Sequence, residues 1–553
     1  METTREPFRF FIIHQDRISL DTKYSHFHKR MPKFLRTLKF QQKEAILSIA
    51  SFSKSIRTLL YLGKILKYCR SIDLQKLTWL EDLTSSEFEK LAKVFKSLKC
   101  LRLPLSIDQV NFDFWTILFK YCKNLTSLAS PLNRMNPVKA FKKKKNLQEI
   151  DLTLAENNIN IPFAHYPSSL QKITIQCRSK SSEPFEIEDL IEYNQAFSHL
   201  KNLKHLDLKI AMHPLELSYM LSSIPNPNDF QSLRIYTGNL YRSSSQSVSH
   251  LAKSLKTFKN LKKLKIHLLN SDAVFGTLES FQNLLSLKSF ELITPLSNEA
   301  ELSFRGSLLG TLKSLNKLVI KLESSVYTHI PDIYTSFFQQ ISNLTQLKVL
   351  EFHLENKNEG SNKYGGSKVL SALSDCINKL QYLKELSFQY QKKLLSSSIA
   401  ILTQVLNKNC QNLTRFELDL LPVEIEYKHF AAFLQVLNSM KKLEVLALSG
   451  LQLKNEFSCE DLFKTIIGFQ NLSKIVLNNE IIIQRQVLID MITKIALKKN
   501  TRTINLNGTL HLTGPKSEKN RLTLEEIQTI NPKLIHFSIH SKLKSSFIPP
   551  LNS

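Results

Sequence analysis

A short apolar phrase recurs through most of this 553-residue chain. It reads L-x-x-L-x-L, with leucine, isoleucine or phenylalanine at positions 1, 4 and 6, as in the copies that begin at Leu203, Leu261 and Leu443. Other clear copies begin at Leu98, Leu147, Leu170, Leu287, Leu315, Leu347, Leu383, Leu413, Leu472 and Leu534, and poorer ones at Leu125, Phe230 and Thr501. From Leu98 to Leu534 the mean spacing is about 29 residues, and a fixed period of this size indicates a solenoid.

The spacing within the phrase predicts a β-strand. Positions 4 and 6 are two residues apart, so in an extended chain their side chains point to the same face, and position 1 lies on the turn before it. One strand this short cannot bury its apolar side, whereas successive strands stacked in parallel form a continuous core. Parallel strands require a crossover connection, and the intervals between copies are long enough to supply it.

The crossover is predicted to be helical. Between residues 430 and 440 the apolar residues recur mainly at steps of three and four, which is typical of one face of a helix, and residues 369–380 and 399–406 follow the same spacing. An asparagine often precedes position 1, as at Asn202 and Asn471. Asparagine tolerates the left-handed conformation that ends helices, so we expect it to act there as a helix stop.

The phrase and its helices together resemble the leucine-rich repeat family, specifically the ribonuclease-inhibitor-like subclass with long, helix-bearing repeats. The resemblance covers about residues 98–540 and implies an α/β solenoid (a horseshoe) with a parallel β-sheet on its concave face and helices on its convex face. One feature departs from the family pattern, which has Asn or Cys at position 9. Here that position holds Ser106, Ala211, Leu269, Glu355, Leu451 and Glu480 in six copies, so the usual Asn/Cys ladder is predicted to be missing from them.

The two ends are predicted to differ from the repeats, which should form one folded array over residues 98–540. Residues 1–97 carry helical patterning around residues 34–50, and we expect an N-terminal helical cap with degenerate repeats such as Leu74/Leu77/Trp79. A small helical adaptor, such as the F-box of a ubiquitin-ligase substrate receptor, is the alternative. Residues 541–553 are predicted to be a C-terminal tail, and the polar, glycine-rich residues 355–368 a projecting loop.

Charge leaves two interpretations open. The chain has 75 Lys and Arg against 48 Asp and Glu, a net charge of +27, which raises attraction to nucleic acids and anionic membranes. The alternative is that lysine is simply the favoured polar residue on solvated faces. The densest basic run, at residues 142–145, is interpreted as a solvated helix end, with a nuclear localisation signal or a phosphate contact as alternatives.

Catalytic and compartment signals are sparse. No nucleophile motif, phosphate-binding loop or metal-ligand spacing is present, so we expect no enzyme activity, catalytic residue, cofactor or metal. The seven cysteines are scattered and never spaced C-x-x-C, which suits a reducing interior. Without a signal peptide or an apolar span, the chain is expected to be intracellular, most simply cytoplasmic, with a nuclear location as the alternative and no membrane insertion.

The predicted function is a non-catalytic protein–protein interaction scaffold. Residues at positions 3, 5 and 7 must face away from the core, so they should form columns on the concave side. In the middle repeats they predict a basic patch beside an acidic patch: Lys263, Lys265, His267, Lys317 and Lys321, then Glu351, Glu385, Glu417 and Asp419. The alternatives are a salt-sensitive nucleic-acid or phosphorylated-ligand binding protein, or an F-box-like substrate receptor. For the two patches themselves, the alternative is that they are solvated charges that balance one another across strands.

Overall fold

The structure is a computed structural model, and its contacts divide the chain into two compact units, Met1–Leu261 and Lys262–Ser553. It describes residues 11–14, 17–21, 46–51, 71–73, 84–103, 113–132, 141, 144–154, 166–177, 197–237, 245–267, 283–296, 307–324, 331–356, 366–391, 394–409, 411–452, 456–496, 503–506, 510–513 and 536–539.

The first unit is a stack of short strands with helices between some of them. Its strands are β1 Phe11–His14, β2 Arg17–Asp21, β3 Ile46–Ser51, β4 Ser71–Asp73, β5 Cys100–Arg102, β6 Ser127–Leu132, β7 Glu149–Leu154, β8 Lys172–Cys177, β9 His205–Met212 and β10 Ser232–Thr237. Its helices are α1 Ser85–Val94, α2 Asp113–Tyr121, α3 Pro214–Ser222 and α4 Ser245–Leu255. β1 pairs antiparallel with β2, and from β2 to β10 each strand pairs in parallel with the next.

The second unit continues the same strand–helix alternation with longer helices. Its strands are β11 Lys263–His267, β12 Ser289–Leu296, β13 Lys317–Ser324, β14 Val349–Asn356, β15 Glu385–Tyr390, β16 Arg415–Glu424, β17 Val445–Gln452, β18 Lys474–Gln484, β19 Thr503–Leu506, β20 Leu510–Thr513 and β21 His536–Ile539. Its helices are α5 Pro331–Ile341, α6 Gly366–Lys379, α7 Ser396–Asn409, α8 Tyr427–Ser439, α9 Glu456–Gly468 and α10 Arg485–Ala496. All pairings in this unit are parallel, and β18 pairs with β19 and then with β20.

The strand register confirms the predicted repeat. In the second unit the position 4 residues lie opposite one another in successive strands: Leu264, Phe290, Leu318, Leu350, Leu386, Phe416, Leu446, Ile475, Ile504 and Phe537. The first unit aligns Leu101, Leu128, Ile150, Ile173, Leu206 and Leu233 in the same way. Helices connect many of these parallel strands, so the fold is an α/β leucine-rich-repeat solenoid.

Aromatic side chains extend the leucine core of the second unit. Phe338 packs against Phe352 with ring centroids 5.0 Å apart, and Phe352 stacks on Phe388 of the next repeat at 6.0 Å. Phe338 lies on α5, so this chain of rings joins the helix layer to the sheet. All three side chains are at most 1% exposed, and burial of this kind is the main stabilising force of such a stack.

Neighbouring repeats are also joined through the backbone at position 2. The carbonyl of Asn316 accepts hydrogen bonds from the N–H groups of Lys348 and Val349, at 2.8 and 3.0 Å. The carbonyl of Lys348 accepts two in the same way from Lys384 and Glu385. We call this carbonyl, the one at position 2 of each repeat, the anchoring carbonyl. It fixes the start of each strand against the preceding repeat.

The asparagines before position 1 do not act as predicted. No residue other than glycine has a positive φ in the described part of the chain, so none of these asparagines adopts the left-handed conformation. Their side chains instead donate to a carbonyl of the preceding repeat, Asn202 to Ser168 at 3.0 Å and Asn471 to Lys441 at 3.2 Å. The asparagine ladder therefore precedes the strand, on the turn, where it replaces water as the partner of the carbonyl.

One tight bend lies within β17, where the strand register shifts between Ser449 and Gln452, and it requires glycine. Gly450 has φ +79°, and a Cβ there would lie 2.0 Å from the carbonyl oxygen of Leu420. After this bend Leu451 donates its N–H to the Oδ1 of Asn479, a buried side chain at position 8 of the next repeat, at 3.0 Å. One asparagine thus joins two repeats past position 7, one position earlier than the family pattern places it.

Three local expectations need correction. The predicted helical patterning of residues 34–50 ends in a strand, β3, and residues 34–45 lie outside the described residues. Ile72 pairs with Leu101, so the degenerate repeat there has the phase Cys69/Ile72/Leu74 instead of Leu74/Leu77/Trp79. In the predicted loop 355–368, β14 extends to Asn356 and α6 begins at Gly366, and residues 357–365 lie outside the described part. The cap, array and tail boundaries stay predictions.

The basic run at residues 142–145 contains a buried lysine. Lys144 is 8% exposed, donates to the carbonyl oxygen of Cys122 at 3.1 Å and lies over the ring of Phe119 at 5.2 Å. Burial lowers the pKa of this ammonium group from its ordinary value. The interpretation as a solvated helix end is therefore wrong for Lys144, whereas its neighbour Lys145 is exposed.

Candidate functional site

The predicted site residues lie together on one face of the second unit. Strand pairing places them in three rows across β11–β16, which we call the sheet-face rows. The position 3 row is Lys263, Ser289, Lys317, Val349, Glu385 and Arg415; the position 5 row is Lys265, Glu291, Val319, Glu351, Ser387 and Glu417; the position 7 row is His267, Ile293, Lys321, His353, Gln389 and Asp419. Positions 4 and 6 between them are buried. The predicted columns are therefore present.

Ion pairs cross the predicted basic patch. Lys265 pairs with Glu291 directly opposite on β12. Lys317 reaches the neighbouring strand and pairs with Glu351 at 2.8 Å. Burial alone would raise the pKa of Glu351, but the hydrogen bond and the charge of Lys317 outweigh it and lower that pKa. Two of the predicted lysines are thus already neutralised within the sheet.

An arginine that the sequence analysis missed lies inside the predicted acidic patch. Arg415 is 2.9 Å from Glu417 on its own strand and 4.0 Å from Glu385 on β15. Burial tends to lower the pKa of its guanidinium group, but the hydrogen bond and the charge of Glu417 raise it. Position 3 of the copy that begins at Leu413 is Arg415, so the rule that selected Glu417 also selects this residue.

Two charges at position 7 differ from these paired groups. Lys321 on β13 and Asp419 on β16 are half-buried, and neither forms an ion pair within 4.0 Å with a described residue. Three strand intervals separate them, which corresponds to roughly 14 Å at the usual strand spacing. At position 7 the face therefore offers one positive and one negative charge at a fixed separation, while the exposed Lys263 adds a positive charge at position 3 of β11.

A histidine lies between these two charges and was also missed. His353 occupies position 7 of β14, opposite Lys321, and its Nε2 is 3.4 Å from the Ser387 hydroxyl. Burial, together with the nearby charge of Lys321, lowers the pKa of this imidazole, although Glu351, Glu417 and Asp419 act in the other direction. The neutral imidazole is thus the favoured form at neutral pH.

The sheet face of the first unit carries its own charges, which no prediction covered. Asp207 on β9 accepts from Arg234 on β10 at 3.0 Å, and Lys209 lies 3.9 Å from the same carboxylate. Two strands away from Asp207, burial raises the pKa of Asp151. One carboxylate oxygen of Asp151 and one of Asp207 are buried without a hydrogen-bond partner in the described part of the chain.

The described part of the chain offers neither a metal site nor a membrane-spanning helix. Among the described residues, no group of three or more His, Cys, Asp or Glu side chains is placed to hold a metal ion. No helix in the described ranges is both long and apolar enough to cross a membrane.

Comparison with known proteins adds one distant structural likeness. No family model matches the chain, and no curated protein matches it. Among solved structures, a crystal structure of an internalin from Listeria monocytogenes is similar over 66% of this chain and 89% of the internalin, at 13% identity and a TM-score of 0.34. A likeness this low adds nothing to the assignment of the fold, which rests on the strand register and its repeat.

Proposed function

We propose that this protein is a non-catalytic interaction scaffold and that the sheet-face rows of β11–β16 bind a protein partner. The observation that carries the proposal is the pair Lys321 and Asp419, two opposite charges on one face without an ion-pair partner among the described residues. The neighbouring charges Lys317, Glu351 and Arg415 are held in ion pairs and hydrogen bonds. Side chains already restricted in this way lose little entropy when a partner binds, which favours recognition.

A partner with complementary charges would fit this arrangement. A complementary surface would place a carboxylate against Lys321 and a basic side chain against Asp419, roughly 14 Å apart. Gln389, on β15 between them, offers hydrogen bonds, and Ile293, on β12 beside Lys321, offers apolar contact. Complementary charge of this kind raises association rate and specificity more than affinity.

The experiment exchanges the two charges. In the variant Lys321→Glu/Asp419→Lys, neither change breaks an ion pair within the described residues, so we expect the melting temperature to stay near that of the wild type. Purification from native extract, followed by mass spectrometry, should then lose a partner that the wild-type chain retains.

The matched control is Asp375→Lys/Lys408→Glu, which exchanges one exposed carboxylate on α6 and one exposed lysine on α7. This variant should retain every partner. If the sheet-face variant is folded and also retains every partner, the sheet-face rows are not the binding site.

Two finer assignments belong to the same proposal. The ribonuclease-inhibitor-like subclass is supported by the helices of 14 residues, α6 and α7, that connect strands of the second unit. A reducing intracellular compartment, most simply the cytoplasm, is supported by Cys122, Cys376 and Cys459, which are buried free thiols.

A further inference from the structure

A second charged surface of the second unit lies where its strands begin. Six exposed lysines follow this edge from β11 to β15, and we call them the lysine edge: Lys262, Lys288, Lys313, Lys348, Lys379 and Lys384. They are distinct from the sheet-face rows, and Lys321 and Asp419 are not among them. The sequence repeat places them together, because each lies at or shortly before position 2 of its copy.

The backbone holds these lysines in a regular row. Lys262, Lys288, Lys348 and Lys384 all occupy position 2, the position of the anchoring carbonyl, with Asn316 between the second and the third. Adjacent strands are spaced by about 4.8 Å, so the row from β11 to β15 extends for roughly 19 Å. Lys313 adds a charge from the turn before β13, where its Nζ donates to the carbonyl oxygen of Asn343 at 3.3 Å.

This positive charge is not balanced along the edge. Apart from Glu385, at position 3 of β15, residues 262–263, 283–289, 311–317, 343–349 and 379–385 contain no aspartate or glutamate. They contain no arginine either, so the edge presents ammonium groups, which act as point charges and do not impose the fork geometry of a guanidinium group. An anionic partner with mobile or diffuse charges suits such a row.

Two large apolar side chains project from the same edge. Leu285 is 67% exposed, on the turn before β12, and Tyr382 is 55% exposed, on the turn before β15. Three strand intervals, roughly 14 Å, separate the two turns. Exposing apolar side chains of this size to water is energetically unfavourable. A partner with an apolar layer would bury them and remove that cost.

We propose that the lysine edge docks on an anionic membrane surface, with Leu285 and Tyr382 entering the interface between headgroups and acyl chains. Clusters of four to eight basic residues bind anionic lipid headgroups, and leucine and tyrosine partition into the interfacial layer. Nucleic acid fits less well, because specific phosphate recognition favours arginine and because a nucleic acid would leave Leu285 in water. Docking at the edge leaves the sheet-face rows open to a protein partner.

The test is co-flotation of the full chain with vesicles. We expect binding to phosphatidylcholine vesicles that contain phosphatidylserine, weak binding to phosphatidylcholine alone, and release at high salt. Each lysine near an anionic surface contributes roughly a fivefold increase in partitioning, so Lys262→Gln/Lys288→Gln/Lys348→Gln/Lys384→Gln should weaken it by at least about 100-fold. Leu285→Ser/Tyr382→Ser should weaken it by about tenfold, with little change in salt dependence.

The matched control removes four exposed lysines from helices, Lys253→Gln/Lys408→Gln/Lys464→Gln/Lys494→Gln, and should bind nearly as the wild type does. Three results would overturn the proposal: equal binding to neutral and anionic vesicles, equal loss in both lysine variants, or single-stranded RNA that displaces vesicles and binds more tightly through the same four lysines. The Lys321→Glu/Asp419→Lys variant should still float, so this test is independent of the protein-binding site.

Discussion

The two sides of the sheet in the second unit follow opposite rules. On the core side, positions 4 and 6 of β11–β18 hold only leucine, isoleucine or phenylalanine, and each is at most 2% exposed. On the open side, position 5 alone runs through Lys265, Glu291, Val319, Glu351, Ser387, Glu417, Ala447 and Val476. The repeat constrains the core side chains at positions 4 and 6, which stack from strand to strand, and leaves the side chains on the open side free to differ.

The cause lies in the different surroundings of the two sides. A core side chain contacts the repeats before and after it and the helix layer, so its volume must suit several neighbours at once. A side chain on the open face must suit only its cross-strand neighbours and water. Sequence variation on this face therefore costs little stability, and it determines what the face binds.

The largest expected difference between the two sides of the sheet is at two adjacent residues of β17. Leu446 is fully buried, so Leu446→Asp places an unpaired carboxylate in the core and should lower the free energy of unfolding by about 4 kcal/mol or more. Ala447→Asp lies on the half-buried open side and should cost about 1 kcal/mol or less. Chemical denaturation of both variants measures the difference. Equal losses would show that the two sides of the strand are not distinguished.

A smaller effect is expected from the ion pair between Lys317 and Glu351. Both side chains keep contact with water, at 42% and 18% exposure, so solvent screens the pair. A double-mutant cycle with Lys317→Met and Glu351→Gln should give a coupling of about 0.5–1 kcal/mol in the free energy of unfolding, reduced by added salt. A coupling of several kcal/mol would mean that the open face resembles the core in its energetics.

The smallest effect concerns pH. The pKa of His353 is lowered in the folded state, so the unfolded chain binds a proton there more readily. Its contribution to stability should be complete above the ordinary histidine pKa of about 6.5 and decline as the pH falls from that value towards the lowered pKa of the folded state.

The variant His353→Gln should lack this dependence of the free energy of unfolding on pH. Unfolding free energies of the two proteins, measured between about pH 7.5 and pH 5, would then converge or cross as the pH falls. Parallel curves would contradict a lowered pKa at this position. The control His429→Gln changes a half-buried histidine on α8, whose Nδ1 is 2.8 Å from the Ser396 hydroxyl, and the pH dependence that comes from His353 should remain in it.

The core side of the fold was predictable from the sequence because its signal is repeated. One copy such as Leu443/Leu446/Leu448 is weak evidence for a strand, but successive copies average out local variation. The strand register agrees with the repeated pattern. The columns of the open face follow from the same alternation. Their ion pairs depend on which repeats are neighbours, and Lys265 opposite Glu291 follows from the register, whereas the diagonal pair of Lys317 and Glu351 requires side-chain conformations.

Other features have no periodic signal. The burial of Lys144 depends on a local cluster of aromatic rings, to which Phe119 and Phe141 contribute. The role of the asparagines before position 1 was predicted from backbone preference, and a hydrogen bond between repeats prevailed over that preference. In both cases the deciding partner belongs to another repeat, at a distance along the chain that residue type does not reveal.

The anchoring carbonyl fixes each strand of the sheet relative to its neighbour, and with it the position of every side chain on the open face. The interval between the copies at Leu347 and Leu383 is 36 residues, well above the mean of about 29, yet Val349 still pairs with Glu385 and Leu350 with Leu386. Because hydrogen bonds to the anchoring carbonyl fix the beginning of each strand, extra residues are accommodated between the end of one strand and the beginning of the next helix. Insertions in such a chain can lengthen a repeat without displacing any column, so loop length and surface recognition are able to evolve separately.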